Sequence, residues 1–164
     1  MADAVDLALA QWSVQRPDVD TAPMAVLARV TRLARLARLL ERELRDFAGR
    51  FDLEPGEFDV LTALRRAGPG LGLTAGALLS ASLVTAGAIT NRIDRMAAKG
   101  LVRRVPDAAD RRVVRIELTE RGARLVDGMP AEHMGWYARL LEPLDAGTRA
   151  VVADALRTLL EQCE

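Results

Sequence analysis

Residues 73–127 constrain the fold more than any other part of the chain. They contain two short helical patterns joined by a tight link, two aliphatic runs separated by a polar loop, and a third helix that begins at Thr119. The two runs, residues 101–105 and 113–118, are rich in aliphatic and β-branched side chains, which predicts a β-hairpin. A helix-turn-helix followed by a basic hairpin is the layout of a winged helix. In that fold, one helix lies in the DNA major groove and the hairpin reaches the flanking minor groove.

The two short helices each begin at a threonine. Thr74 is placed to cap a helix over residues 75–79, and Thr85 to cap a second helix over residues 86–99 that Gly100 ends. In a winged helix the second of these helices contacts the DNA bases, and we refer to it as the recognition helix.

Helical patterns also precede this region. Residues 1–12 predict a short helix, and residues 13–23, which include two prolines, predict a connecting loop. From Met24 onward, apolar residues recur every three or four positions over about 24 residues, which predicts one long amphipathic helix. Pro55 is suited to the first turn of the next helix, which Gly68 ends.

The C-terminal part predicts two more helices. One begins after Thr119 and runs toward Leu141, although Pro130 is expected to kink it or split it in two, because proline lacks an amide hydrogen. Asp145 caps a last helix that has an apolar side. With the long first helix, these helices carry more apolar surface than one winged helix covers, which predicts an intertwined homodimer. Its two-fold symmetry would place the recognition helices about 34 Å apart, one turn of DNA.

These patterns predict a mainly α-helical fold, a winged helix-turn-helix with a small β-hairpin wing and N- and C-terminal dimerisation helices. We expect three segments along the chain. Residues 1–50 form an N-terminal extension and dimerisation helix, residues 51–118 form the DNA-binding domain, and residues 119–164 form the C-terminal dimerisation helices.

Composition argues against several other classes of protein. Hydrophobic residues make up 50% of the chain, but no apolar run approaches the roughly 18 to 20 residues that span a bilayer. The acidic start lacks signal-peptide character, so we expect a cytoplasmic protein with no membrane partner. One cysteine and one histidine are too few for a disulfide or a structural zinc site, and no metal or cofactor is implied. The sequence shows no catalytic motif, which argues against an enzyme.

The charge distribution favours a nucleic-acid partner although the net charge is zero. Residues 84–124 hold ten basic and five acidic residues, so this region carries five excess positive charges and the remainder five excess negative ones. A basic region on an otherwise acidic protein concentrates the attraction for phosphate where the recognition helix and wing are predicted.

Several segments of the chain match a known pattern in the right order. They are GEFDVL from residue 56, AITNRIDRM from residue 88, KGLVRR from residue 99, DRR from residue 110 and LTERG from residue 118. These segments strongly resemble the MarR family of winged-helix regulators. The resemblance implies an intertwined homodimer that binds a pseudo-palindromic operator in double-stranded DNA, usually as a repressor, and often with relief by a small anionic aromatic ligand.

The resemblance also implies roles for individual residues. It places four residues on the DNA-facing side of the recognition helix: Thr85, Thr90, Asn91 and Arg95. Arg112 lies at the wing tip, where an arginine suits the negative potential of a narrow minor groove. Asp110, beside Arg111, resembles the acid that braces the wing in this family. Relatives commonly carry two serines where this chain has the run Thr85-Ala86-Gly87, so one hydroxyl donor is missing.

A narrower resemblance concerns the ligand. Urate-responsive members of the family use a tryptophan, an aspartate and two arginines, which Trp12, Asp59, Arg92 and Arg104 resemble. A planar monoanion is suited by a ring to stack on and by guanidinium groups that bind its oxygens. The alternative is that Trp12 packs between helices and that Asp59 and Arg92 form an internal ion pair.

The leading interpretation is therefore a dimeric repressor released by a small anionic aromatic ligand. Two alternatives within the fold are a regulator without a ligand and one with a thiol switch at Cys163. A winged helix that serves as a protein-interaction module is a third. Such a module would not need Thr90, Asn91, Arg95 and a basic wing tip together, which favours DNA binding.

Overall fold

A computed structural model describes residues 2–68, 70–81 and 89–162. The chain divides into two compact units, Met1–Pro55 and Gly56–Glu164. The three segments expected from the sequence stay a prediction.

Three helices make up the first unit: α1 (Ala4–Gln15), α2 (Ala22–Arg32) and α3 (Ala34–Gly49). Asp3 caps α1 by accepting hydrogen bonds from the amides of Val5 at 2.7 Å and Asp6 at 3.0 Å. The Asp6 carboxylate accepts in return from the amide of Asp3 at 2.8 Å, which completes a capping box. Arg29 of α2 lies 3.1 Å from the Asp3 carboxylate and 2.5 Å from that of Asp6. This ion-pair network links α2 to the start of α1.

The boundary between α2 and α3 differs from the prediction. The sequence pattern predicts one long helix, whereas the structure has two helices that meet at Leu33. The amide of Leu33 lies 2.9 Å from the carbonyl of Arg29 and 3.0 Å from that of Val30, so the backbone tightens locally toward 3₁₀ bonding. A tightening of one turn leaves the apolar stripe in place, and the stripe therefore did not reveal it.

The second unit contains the remaining elements of the described residues: α4 (Pro55–Ala67), α5 (Ala75–Ala81), α6 (Ile89–Ala98), β1 (Val102–Pro106), β2 (Val114–Leu118), α7 (Glu120–Leu140) and α8 (Ala146–Leu160). Three predicted caps are confirmed by hydrogen bonds from downstream amides: Ala77 to Thr74 at 3.1 Å, Gly122 to Thr119 at 3.0 Å and Thr148 to Asp145 at 2.7 Å. Across the described residues, none of these helices combines the length and the apolar character needed to cross a membrane.

The predicted hairpin is confirmed. β1 and β2 pair antiparallel, from Val102 opposite Leu118 to Pro106 opposite Val114, and with their connecting loop they form the wing. Leu73 adds an unpredicted contact, because its amide and carbonyl exchange hydrogen bonds with Ile116 at 3.0 and 2.8 Å. A single paired residue leaves no alternating pattern in a sequence. This bridge ties the segment before α5 to the wing.

The core of the second unit orients the recognition helix, whose described part is α6. Ile93 and Met96 are 1% and 0% exposed and turn one side of α6 inward. α4 supplies a larger buried set that includes Val60, Leu61, Ala63 and Leu64. Burial of apolar side chains is the main stabilising contribution to a fold, so Ile93 and Met96 fix which side of α6 faces the core. The opposite side of α6 therefore faces solvent.

Pro130 does not split the helix that contains it. α7 runs from Glu120 to Leu140 with the proline inside. Met129 and His133 are buried on either side of Pro130, and their packing stabilises the helix where proline removes a hydrogen bond. Near its start, α7 lies against the backbone that joins α6 to β1. A Cβ atom at Gly122 would collide with the backbone carbonyl of Leu101, so only glycine permits this approach.

α8 buries none of its residues in the described chain. Its exposed apolar side chains, between 37% and 69% exposed, are Val151, Val152, Leu156 and Leu160. A continuous apolar face of this kind is characteristic of a surface that another molecule covers.

Candidate nucleic-acid interface

The recognition helix presents polar side chains to solvent at its start. Thr90 and Asn91 are exposed in the first described turn of α6, while Ile93 and Met96 face the core. Hydroxyl and amide groups at such positions bond base edges or phosphates. Thr85, which was predicted to share this role and to cap the helix, lies outside the described residues. Cys163, the residue of the alternative thiol switch, also lies outside them.

Arg95 and Lys99 follow one turn later along a basic flank of the helix. Both contact the carboxylate of Glu57, whose side chain is 0% exposed. The Lys99 ammonium lies 2.9 Å from Oε2, and the Arg95 Nε lies 3.6 Å from Oε1. The Arg95 side chain remains 47% exposed, so it is anchored at the protein and still reaches solvent.

Arg92 occupies the same flank, over the first turn of α4. A Cβ atom at Gly56 would collide with the guanidinium group of Arg92, which shows how closely the two pack. Asp59, one helical turn after Gly56, is 6% exposed. Among the described residues, neither the buried Nε of Arg92 nor the buried Oδ2 of Asp59 has a hydrogen-bond partner. Buried polar atoms without partners are rare in proteins and call for an explanation.

Arg104 joins the wing to the recognition helix. Its guanidinium lies 2.7 Å from the carboxylate of Asp94 on α6, and both side chains are partly exposed. Because Arg104 belongs to β1, this ion pair links the orientation of the wing to that of the helix. Arg92 and Arg104 were both predicted to bind a ligand, but within the described residues no shared ion pair joins them.

The wing tip carries two exposed arginines, Arg111 and Arg112. Within the described part of the chain, neither guanidinium forms an ion pair. Asp110 accepts a hydrogen bond from the amide of Arg112 at 2.9 Å, which shapes the turn. The wing-bracing role of Asp110 and Arg111 stays a prediction.

A second acid, Asp107, makes more contacts in the wing than Asp110. It accepts hydrogen bonds from the amides of Ala109 at 2.8 Å and Asp110 at 3.1 Å, and it pairs with the guanidinium of Arg115. Hydrogen bonding from Arg115, helped by the two amides, lowers the pKa of Asp107 to about 2. Arg115 also donates to the carbonyl of Gly72 at 2.9 Å, so the tip of the wing is connected to its base.

Trp12 lies in the first unit, on α1. Its side chain is 47% exposed and lines a surface hollow of about 370 Å³ together with Ala8, Gln11 and Gln15 of the same helix. An exposed indole face of this kind is available for stacking.

Comparison with known proteins identifies the family. Residues 51–113 match the family model for the MarR family. The HTH-type transcriptional regulator PecS of Dickeya dadantii is 32% identical over 154 residues, which cover 94% of this chain and 89% of PecS. The chain belongs to the MarR family of DNA-binding transcriptional regulators.

Solved MarR-family structures share the fold. A variant of Escherichia coli MarR complexed with operator DNA superposes with a TM-score of 0.64 at 26% identity, covering 82% of this chain and 98% of that one. Bordetella bronchiseptica BpsR, whose DNA binding is regulated by 6-hydroxynicotinic acid, gives a TM-score of 0.67 at 24% identity, covering 79% of this chain and 90% of that one. The predicted winged helix with a two-stranded wing is therefore confirmed.

The basic residues of the DNA-binding region differ in whether an acid of the same chain neutralises them. Four acids form ion pairs with five basic residues: Glu57 with Arg95 and Lys99, Asp94 with Arg104, Glu117 with Arg103, and Asp107 with Arg115. The arginines at the wing tip are exposed instead. Glu57 had no predicted role. Glu57 lies on the side of α4 that otherwise carries apolar residues. This position could have indicated a buried ion pair, because a buried acid needs a cationic partner.

Proposed function

We propose that this chain is a dimeric repressor that binds a pseudo-palindromic operator and releases it when a small anionic aromatic effector binds. The effector part rests on one observation, the two buried polar atoms of Arg92 and Asp59 that lack partners among the described residues. A ligand with both an anionic oxygen and an N–H group, as in urate or a related purine, offers an acceptor for the Nε–H of Arg92 and a donor for the Oδ2 of Asp59.

Dimerisation is supported by the apolar face of α8. A helix of 15 residues with no buried side chain gains little from packing within its own chain. A second copy that covers this face would remove the apolar surface from water.

DNA contacts are supported by the chemistry of the exposed groups. Asn91 offers an amide that pairs with adenine in two hydrogen bonds, and Arg95 offers the guanidinium that suits guanine. Arg112 acts at the wing tip through its charge and through the shape of the minor groove.

These contacts lead to different expectations for two variants. Arg112→Ala should weaken binding to most duplexes and flatten the salt dependence of log K by about one phosphate contact. Asn91→Ala should instead relax base preference, at about 1 to 3 kcal/mol for a lost bidentate contact. Fluorescence polarisation with an operator selected from a random duplex library measures both. Equal binding of wild type and Arg112→Ala across a salt series would contradict the wing assignment.

Release of DNA requires an effector that prefers the arrangement unable to bind DNA. Arg104 now pairs with Asp94 at 2.7 Å, and an effector that recruits Arg104 would break this link between wing and recognition helix. A differential of about 1 to 3 kcal/mol is typical of such coupling. Control by a small aromatic acid has a precedent in a protein of similar fold, since 6-hydroxynicotinic acid regulates the DNA binding of BpsR.

Trp12 provides the optical test, because we propose that it stacks on the effector. In a Trp136→Phe background, Trp12 is the one remaining tryptophan of the chain, so its fluorescence should change on titration with urate, 6-hydroxynicotinate or salicylate. Trp12→Ala should lose effector-induced release while it retains operator binding. No change in operator affinity or in melting temperature at millimolar effector would refute this ligand class.

Gly56 gives an independent test with a matched control. Gly56→Ala should displace the Arg92 guanidinium and weaken the effector response. Gly128→Ala is the control, because Gly128 is also helical and a Cβ there meets nothing within 4 Å. Both substitutions gain helix propensity, so a difference between them reports the displacement of Arg92.

A further inference from the structure

Glu57 is the most fully buried carboxylate beside the recognition helix. Its side chain is 0% exposed, whereas those of Lys99 and Arg95 are 30% and 47% exposed. Arg95 and Lys99 are four residues apart and so lie on one side of α6. One covered anion on α4 therefore holds two cations of the recognition helix, each of which extends to the surface.

Such a carboxylate is costly to bury unless cations neutralise it. This cost favours the paired arrangement, because the charge of Glu57 would be buried without a cation if Arg95 and Lys99 both turned away. The contact of 3.6 Å with Glu57 thus favours side-chain conformations of Arg95 that keep its guanidinium near this carboxylate before DNA arrives. Restraint of this kind lowers the entropy lost when a long side chain forms a specific contact.

We propose that Glu57 is a positioning residue that sets the sequence preference of the regulator by aiming Arg95. The proposal rests on the DNA contact assigned to Arg95 under the proposed function. An unrestrained arginine reaches phosphates on any duplex, whereas an aimed one is confined to the base edges in front of it. The negative charge of Glu57 also reduces the attraction of this flank for phosphates in general.

The main test is Glu57→Gln, which preserves shape and removes the charge. We expect operator affinity to fall and affinity for a random duplex to rise, so that the ratio between them drops about tenfold. The salt dependence on the random duplex should become steeper by about one phosphate contact, because the released Arg95 finds a phosphate. A merely structural role would weaken binding to both duplexes and leave the salt dependence unchanged.

Asp127→Asn is the matched control. It changes the net charge by the same amount, but Asp127 pairs with Arg65 at 2.5 Å rather than with α6. The operator-to-random ratio should stay at the wild-type value in this variant. An equal drop in both variants would attribute the effect to net charge and overturn the proposal.

A double-mutant cycle shows whether Glu57 acts through Arg95. In an Arg95→Ala background, Glu57→Gln should lower the ratio much less than in the wild-type background, because only the general charge effect and the contact with Lys99 remain. The proposal is wrong if the ratio falls equally in both backgrounds, or if Glu57→Gln alone does not change it. Should Arg95→Ala by itself leave operator binding intact, the DNA contact of Arg95 fails first, and that failure is visible without any change at Glu57.

Glu57→Asp covers the case in which the glutamine variant does not fold. It keeps the charge and withdraws the carboxylate by one methylene from both cations. We expect a smaller loss of the ratio, with random-duplex affinity near that of wild type. A wild-type ratio in Glu57→Asp would overturn the proposal.

Discussion

α4 and α8 are helices of similar length with different surroundings. α4 has 13 residues, eight of which are buried, whereas α8 has 15 residues and buries none in the described chain. Both carry apolar residues at helical spacing, so amphipathicity alone does not distinguish them. An apolar stripe therefore predicts a helix that needs a partner surface. Whether that surface belongs to the same chain is decided by tertiary structure.

The largest expected effect comes from removal of residues 145–164. If a second copy covers α8, the truncated chain should lose its dimer or fail to fold, because the surface that stabilises the assembly is gone. Sedimentation velocity and circular dichroism measure the two outcomes. A full-length chain that is a well-folded monomer at micromolar concentration would contradict coverage of α8 by a second copy.

Leu61→Ala tests the other side of the comparison. Leu61 is 0% exposed on α4, so the substitution should lower the free energy of unfolding by about 2 to 5 kcal/mol through lost burial and a cavity. Urea denaturation at matched protein concentrations measures the change. The oligomeric state of the folded protein should not change, and dissociation of this variant would assign α4 to an interface.

Leu156→Ala is the counterpart on α8. Leu156 is 37% exposed in this chain, and in the proposed dimer its loss should cost about 1 to 2 kcal/mol. Unlike the cost at Leu61, this one should appear as a weaker dimer and depend on protein concentration. A cost independent of concentration would indicate that α8 packs only within its own chain.

Ion pairs and hydrogen bonds, rather than apolar burial, stabilise the wing tip, and we expect the smallest effect there. The pKa of Asp107 is lowered to about 2, so its ion pair stabilises the wing above the ordinary carboxyl pKa and is lost as pH falls toward 2. Arg115→Gln should raise the pKa of Asp107 toward its ordinary value. Carboxyl ¹³C shifts followed by NMR measure it, and an unchanged pKa would exclude Arg115 as the main cause.

Features encoded by neighbouring residues were predicted from the sequence. The caps at Thr74, Thr119 and Asp145 form within one helical turn, so residue type and spacing suffice to predict them. The pairing of two short aliphatic runs as a hairpin was also predicted, whereas its register is seen only in the structure.

Features that depend on local backbone geometry or on distant residues were not predicted. The break at Leu33 and the continuity of α7 through Pro130 are decided by backbone geometry and packing that an apolar pattern does not contain. Glu57 contacts residues about 40 positions away, and its role is visible only when α4 and α6 are together. The pairing of Leu73 with Ile116 is equally remote in sequence.

The contact of Gly122 with Leu101 sets the start of α7 directly on the backbone between the recognition helix and the wing. No methyl group fits between the two residues, and Thr119 donates to the carbonyl of Gly100 at 2.7 Å, so the joint contains no compressible layer. α7 has 21 residues and is about 30 Å long, so each degree of tilt at one end moves the other by about half an ångström. A tilt of roughly 7 degrees displaces the far end by one base-pair step of about 3.4 Å. In the proposed dimer, a change in the tilt of α7 would therefore change the distance between the two recognition helices.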